Sequence, residues 1–139
     1  MNNFFEIFNL PQGILKKMVI LGLATFFIYF GIDHFVNPEF YLSIMPESFP
    51  FHYEAVYISG FFEIIGGFGV LVARLRKLAG WGLLALLISV YPANIYMALN
   101  PELFPEYSIS LLYFRLVLQF LFFYWAYTCL LYTSDAADE

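Results

Sequence analysis

Four long apolar runs constrain what this chain of 139 residues can fold into. They cover residues 14–35, 53–72, 78–99 and 109–130, and each reaches the roughly 20 residues that a helix needs to cross a bilayer. Apolar residues make up 62% of the chain and charged residues only 12%, so too few polar side chains remain to cover a water-facing surface. The sequence therefore predicts an all-α fold, a bundle of four transmembrane helices in contact with lipid, with no room for a separate soluble domain.

Basic residues predict how the bundle is oriented. Lys16 and Lys17 flank the first run, and Arg74, Arg76 and Lys77 fill the connector between the second and third. Because Lys and Arg in short loops stay on the cytoplasmic side, both termini are predicted to be cytoplasmic, in a bacterial-type inner membrane. No cleavage site of small residues follows the first run, which predicts a retained signal-anchor helix.

The first outer connector, residues 37–52, is too apolar to extend into water. Asn37 is expected to cap a short helix that starts at Pro38, and Pro46 and Pro50 are expected to end it. Such an interfacial segment can form a lid over the bundle, or it can simply anchor the chain in the outer leaflet. Simple anchoring is the favoured interpretation.

Charged residues inside the apolar runs mark a candidate site. Glu63 lies at the centre of the second run and Arg115 within the fourth, where each charge costs at least about 2.5 kcal/mol and therefore needs a partner. Helical periodicity places Glu63 on a stripe of small residues and Arg115 on one face with Gln119, both directed into the bundle. The simplest expectation is a Glu63–Arg115 ion pair.

Further polar residues lie in the predicted outer half of the membrane. Together with the two charged residues, the candidate binding cluster comprises Asp33, His34, Glu63, Asn94, Arg115 and Gln119. This cluster can be a structural ion pair that binds nothing, or a polar pocket that holds a small molecule or passes a proton. Asp33 and His34 can handle a proton or merely hydrogen-bond a loop. No catalytic residue is identified.

Other classes of site are not expected from the sequence. The two histidines, His34 and His52, are not placed to bind haem together, carboxylates for a metal pair are too few, and a single cysteine excludes an internal disulfide. Pro92, inside the third run, predicts a kink beside Asn94. No nucleic acid partner is expected.

The end of the chain changes character. The segment CLLYTSDAADE, residues 129–139, resembles the translated transposase adapter that contaminates sequencing assemblies, which limits the native domain to residues 1–128. Removing its three acids, Asp135, Asp138 and Glu139, changes the formal charge from −5 to −2. The alternative is an ordinary acidic C-terminus.

Several motifs in this order resemble the DoxX-like family of membrane proteins. They are GIDHFVNPEFYLSIMPESFP from Gly31, YISGFFEIIGGFGVLVARLRKLAGWGLL from Tyr57, VYPANIYMAL from Val90 and RLVLQFLFFYW from Arg115. The family's motif positions fall on His34, Pro38, Pro46, Pro50, Gly60, Glu63, Pro92, Asn94, Arg115 and Gln119. Ala73 departs from the pattern, since relatives often carry proline there.

The resemblance implies a four-helix inner-membrane protein tied to redox metabolism of the cell envelope. Family relatives include the DoxD-type subunit of a thiosulfate:quinone oxidoreductase and components that accompany amine dehydrogenase maturation. The first hypothesis is therefore a subunit or accessory of such a system, with a quinone-like or sulfur-containing small molecule bound at the cluster and a redox protein or a second copy as the partner. The alternatives are an assembly scaffold with a structural polar cluster and, with less support, an oligomeric transporter.

Overall fold

The computed structural model describes the backbone of residues 7–138 and the side chains of residues 7–131. Four long helices in this part of the chain are long and apolar enough to cross a membrane, so the predicted all-α, four-span architecture is confirmed. The helices are α1 (Ile14–Val36), the short α2 (Pro38–Ser43), α3 (His52–Leu71), α4 (Arg76–Leu99) and α5 (Ile109–Asp138), with a 3-10 turn at Pro101–Leu103 before α5.

The helices run up and down, so the two ends of the bundle differ. One end carries α2 and the 3-10 turn, and we call it the α2 end; the other carries the α3–α4 connector, and we call it the connector end. The helix α1 packs along α3, and α4 packs along α5, with α3 against α4 joining the two pairs. Large apolar side chains such as Phe61, Phe120 and Tyr124 remain exposed on the outer faces, as contact with lipid requires.

Glycines bring α1 and α3 together backbone to backbone. A Cβ atom on Gly60 would lie 2.9 Å from the carbonyl oxygen of Gly31, and one on Gly67 would lie 2.9 Å from that of Ala24. Small residues permit this approach in membrane helices. The predicted small-residue stripe therefore faces the bundle, and Glu63 on it is only 7% exposed.

The connector end is held by a buried arginine. Arg76 is 1% exposed, and its guanidinium donates to four backbone carbonyls, those of Val70 at 2.7 Å, Phe8 at 2.8 Å, Leu71 at 3.2 Å and Asn9 at 3.4 Å. The last carbonyls of a helix have no partner within the helix, so Arg76 completes the end of α3. Although sequence analysis counted Arg76 as a loop cation, it is a structural residue of the core.

The short helix α2 begins as predicted at Pro38, but the expected side-chain cap is not formed. Asn37 occupies the cap position, and its amide donates to the carboxylate of Asp33 at 2.5 Å. That contact takes precedence because a carboxylate four residues earlier, on the last turn of α1, is a stronger acceptor and needs a donor.

The predicted foreign tail begins inside α5. Cys129 and Leu130 pack in the core, whereas the side chains of residues 132–138 and the whole of Glu139 lie outside the described residues. Continuation of the helix through this segment does not depend on where the segment comes from, so the origin of the tail stays a prediction.

Candidate functional site

The six predicted site residues lie between the α2 end and the middle of the bundle, in two groups. One group, Asp33, His34 and Glu63, lies on α1 and α3, and the other, Asn94, Arg115 and Gln119, lies on α4 and α5. Each group is connected internally, and the residues Phe40 and Tyr41 of α2 contact one group each.

In the first group, the imidazole of His34 meets the carboxyl of Glu63. The Nδ1 atom of His34 lies 2.8 Å from the carbonyl oxygen of Phe30 and 3.4 Å from Oε2 of Glu63. Because a carbonyl can only accept, Nδ1 carries a proton and donates it to Phe30. Oε2 of Glu63 is buried and has no hydrogen-bond partner among the described residues, an arrangement that native structures rarely leave without a reason.

The close contact of α1 with α3 explains why these two residues meet. A Cβ atom on Gly60 would lie 2.6 Å from the Cβ atom of His34, so only glycine allows His34 to sit over this turn of α3. Glu63 follows three residues later, which places it on the same face of the helix.

Tyr41 attaches α2 to this group. Its ring stacks on the imidazole of His34 with ring centroids 3.7 Å apart, and its hydroxyl donates to Asp33 at 2.7 Å. Burial raises the pKa of Tyr41 well above its ordinary value, and the hydrogen bond to Asp33 raises it further. The phenol therefore stays protonated and keeps its hydrogen bond to the end of α1.

In the second group, a directional chain of hydrogen bonds leads to Arg115. The amide nitrogen of Gln119 donates to the carbonyl of Leu87 at 2.9 Å, and its oxygen accepts from Asn94 at 3.4 Å. The oxygen of Asn94 accepts from Nε of Arg115 at 3.2 Å. Because the carbonyl of Leu87 can only accept, the amide nitrogen of Gln119 must point toward it, and the oxygen of Gln119 then faces the amide nitrogen of Asn94. The oxygen of Asn94 is left as the acceptor for Arg115.

The terminal nitrogens of Arg115 have no hydrogen-bond partner among the described residues, although the side chain is half buried. Its other contact is with the ring of Phe40, whose centroid lies 6.0 Å from the guanidinium carbon. A cation at this distance from an aromatic ring gains about 0.5–2 kcal/mol. Neither contact provides a negative charge.

The expected Glu63–Arg115 ion pair is wrong. The carboxyl of Glu63 lies 3.4 Å from the imidazole of His34, and Arg115 reaches Asn94. The physical reason is the arrangement of neighbours: Glu63 faces α1 across the glycine contact, whereas Arg115 faces α4. Periodicity gave the correct inward direction for both side chains but could not say which helix each would meet.

Helix α2 spans the gap between the two groups. Phe40 and Tyr41 are consecutive, with ring centroids 5.2 Å apart, so one covers Arg115 while the other covers His34. Tyr41 also interacts electrostatically with both Glu63 and Arg115. The first outer connector therefore packs on the polar site as a lid would, in addition to any anchoring role.

The site combines unused hydrogen-bond donors on Arg115 with an unused acceptor on Glu63, both near aromatic rings. Such a combination can hold a small molecule that carries a polar group on an apolar body. No group of three metal-ligating side chains occurs in the described part of the chain.

The roles of Phe40, Tyr41 and Arg76 were not predicted from the sequence. The apolar character of residues 37–52 was a usable signal for the first two, because aromatic side chains that cannot face water must pack on something. Nothing in the sequence distinguishes Arg76 from its exposed neighbour Arg74, since only the packed connector shows which of them points inward.

Over residues 23–130, the chain matches a family described as a domain of unknown function, DUF8561. Because the match covers most of the chain, the protein belongs to this family. Neither the comparison with curated proteins nor that with solved structures found a match.

Proposed function

We propose that this protein is a membrane accessory protein that holds a small amphipathic molecule beneath α2. The observation that supports the proposal is a pair of polar groups without hydrogen-bond partners among the described residues, the terminal nitrogens of Arg115 and Oε2 of Glu63. Leaving a polar group without a partner at membrane depth costs a free energy of roughly several kcal/mol. A bound molecule that meets either group would remove that cost.

The proposed setting is quinone-linked or envelope redox metabolism in a bacterial inner membrane. It rests on the resemblance to DoxX-like proteins at the same positions, His34, Glu63, Asn94, Arg115 and Gln119. With both termini cytoplasmic, the α2 end faces the outer leaflet, where a molecule could enter from the lipid. The electron chemistry would come from the bound molecule, for example a quinone, or from a partner redox protein.

The test is to purify the full chain in a mild detergent and to identify extracted small molecules by mass spectrometry. In parallel, binding of a short-tailed benzoquinone is titrated against the unmodified protein, Arg115→Gln and Glu63→Gln. The matched controls are Arg74→Gln and Glu54→Gln, which alter exposed side chains of the same types.

We expect a stoichiometric small molecule that is lost from both site variants and retained by both controls. If the folded protein carries no small molecule and takes up no added probe, the proposal is wrong.

A scaffold without a ligand is the second candidate, favoured by the hydrogen bonds that join α4 to α5 through Gln119 and Asn94. In that case Asn94→Leu should loosen the bundle, with a lower unfolding temperature, while no site variant changes ligand content. The two candidates are separated by whether Arg115→Gln alters binding or only stability.

A further inference from the structure

We infer that the group recognised by Arg115 is an anion, the phosphate or carboxylate of an amphipathic molecule. The inference rests on the proposed function and specifies the chemical class of its ligand. It begins from the charge balance around Arg115.

The guanidinium of Arg115 has no counter-charge. Its contacts are with the neutral amide oxygen of Asn94 and the ring of Phe40. No ion pair within 4.0 Å links it to a carboxylate in the described part of the chain, and the carboxyl of Glu63 lies beside His34 instead. Asp33 in turn accepts hydrogen bonds from Asn37 and Tyr41. A half-buried cation at membrane depth requires a negative partner, and the described residues do not supply one.

The amide chain determines what remains available on Arg115. Because Leu87 fixes Gln119 and Gln119 fixes Asn94, only the Nε position of Arg115 receives an acceptor. The terminal nitrogens are left as a planar fork of donors, a geometry that matches carboxylates and phosphates with two parallel hydrogen bonds. The contact with Asn94 holds the base of the fork in place.

The surroundings of the guanidinium require an apolar portion on the ligand. Arg115 lies six residues after the start of α5 at Ile109, or about 9 Å along the helix. The buried cluster next to it contains Met97, Phe104 and Leu112, with Phe40 and Leu116 packed against that cluster. An anion with an alkyl chain or ring can therefore satisfy the charge while it remains in the hydrocarbon.

The experiment uses the full chain in phosphatidylcholine nanodiscs with four probes. Decyl phosphate and decanoate are the anions, a decyl benzoquinone is the neutral probe of similar chain length, and inorganic phosphate is the anion without a tail. Affinities are measured for the unmodified chain, Arg115→Gln, Gln119→Glu and the control Arg74→Gln, each first checked for folding by circular dichroism.

Both amphipathic anions are expected to bind at least about tenfold more tightly than the neutral quinone. Arg115→Gln should remove that preference, and Arg74→Gln should preserve it. Gln119→Glu should also weaken anion binding although it keeps Arg115, because it places a carboxylate one turn away on the same helix face. If this variant fails to fold, Arg115→Gln alone decides the inference.

Equal affinity for the quinone and the anions would overturn the inference while leaving the proposed function intact. Absence of binding for every probe would overturn both. Anion binding that Arg115→Gln does not alter would show nonspecific partition and would also overturn the inference.

Two further comparisons concern the rest of the ligand. Competition by phosphatidylglycerol in the nanodisc would support the inference and identify a lipid headgroup as the source of the anion. Binding of inorganic phosphate as tight as that of decyl phosphate would contradict the apolar portion and overturn the inference for an amphipathic ligand.

Discussion

Two arginines of this bundle, Arg76 and Arg115, show opposite ways of placing a cation within a membrane protein. Arg76 at the connector end donates to four backbone carbonyls, from the end of α3 and from the segment before α1. Arg115, near the α2 end, donates to a single side-chain amide. The first arginine completes the fold, whereas the second keeps donors that the fold does not use.

The contrast extends to the helix contacts around the two ends. The helices α1 and α3 meet through glycines and leave little space for adjustment. Near the α2 end, α4 and α5 are joined instead by hydrogen bonds of the amide side chains of Asn94 and Gln119. One half of the polar site is therefore held by close backbone contact and the other by side-chain hydrogen bonds.

The sharpest test of the comparison is to remove each cation. Arg76→Gln is expected to destabilise the bundle by about 3 kcal/mol or more, because it leaves several carbonyls without a charged donor. Arg115→Gln is expected to change the free energy of unfolding by less than about 1 kcal/mol, because loss of the hydrogen bond to Asn94 is offset by removal of an unpaired charge. Unfolding in mixed detergent micelles measures both, and equal losses would contradict the comparison.

The glycine contact gives the next largest effect. Gly60→Ala is expected to destabilise by about 2 kcal/mol, since the new Cβ atom would meet His34 at 2.6 Å and the Gly31 carbonyl at 2.9 Å. The matched control is Gly82→Ala on α4, where nothing lies within 4 Å, and which should gain a few tenths to about 1 kcal/mol from helix propensity. The same unfolding assay measures both, and a loss at Gly82 as large as at Gly60 would remove the argument for close backbone contact.

Replacing Glu63 by an apolar residue should raise stability. Glu63→Met removes a buried oxygen without a hydrogen-bond partner and keeps a similar shape, so a gain of about 1–2 kcal/mol is expected. Glu54→Met, at an exposed position of the same helix, should show no comparable gain. A large loss at position 63 would mean that the carboxyl stabilises the fold and is not retained for binding.

Tyr41→Phe removes the hydrogen bond from the phenol to Asp33, which attaches α2 to α1. We expect this variant to lower the free energy of unfolding by about 1 kcal/mol. The pKa of this phenol is raised in the folded protein, so its contribution is complete below the ordinary value of about 10. It is lost as the pH rises further, because the unfolded chain ionises first. A stability profile at alkaline pH that is the same for the variant and the unmodified protein would contradict this.

The smallest expected effect concerns the pair that the sequence suggested. Glu63→Gln and Arg115→Gln should be additive to within about 0.5 kcal/mol in a double-mutant cycle, because the two side chains have separate partners. A cycle of His34→Gln with Glu63→Gln should instead show coupling. Coupling between Glu63 and Arg115 above that limit would restore the ion pair that the structure does not contain.

Much of the fold followed from local properties of the sequence. The four spans were predicted with ends at or within two residues of the observed helices, apart from α5, whose apolar span ends near the predicted position while its backbone helix continues. Pro38 marked the start of α2 correctly. The inward direction of Glu63 and Arg115 also followed from periodicity, because it depends only on residues three and four positions away.

The partners within the site could not be predicted in the same way. His34 was named as a candidate but not as the neighbour of Glu63, and Tyr41 was seen only as part of an apolar connector. The buried position of Arg76 depends on carbonyls of a helix end and of a segment far away in sequence. Such contacts depend on which elements pack together, and a local sequence pattern does not indicate which elements those are.

The sequence by itself determined that the outer faces of the helices suit contact with lipid, how many spans there are and how long they are. It also determined which polar residues would face inward. These properties come from hydropathy and helical period, which act within a few turns of one helix. The tertiary structure decided that Glu63 meets His34, that Arg115 meets Asn94 and that α2 covers both. The reason is that glycine contacts selected α3 as the partner of α1, and this choice left Arg115 on the α4 side without a carboxylate.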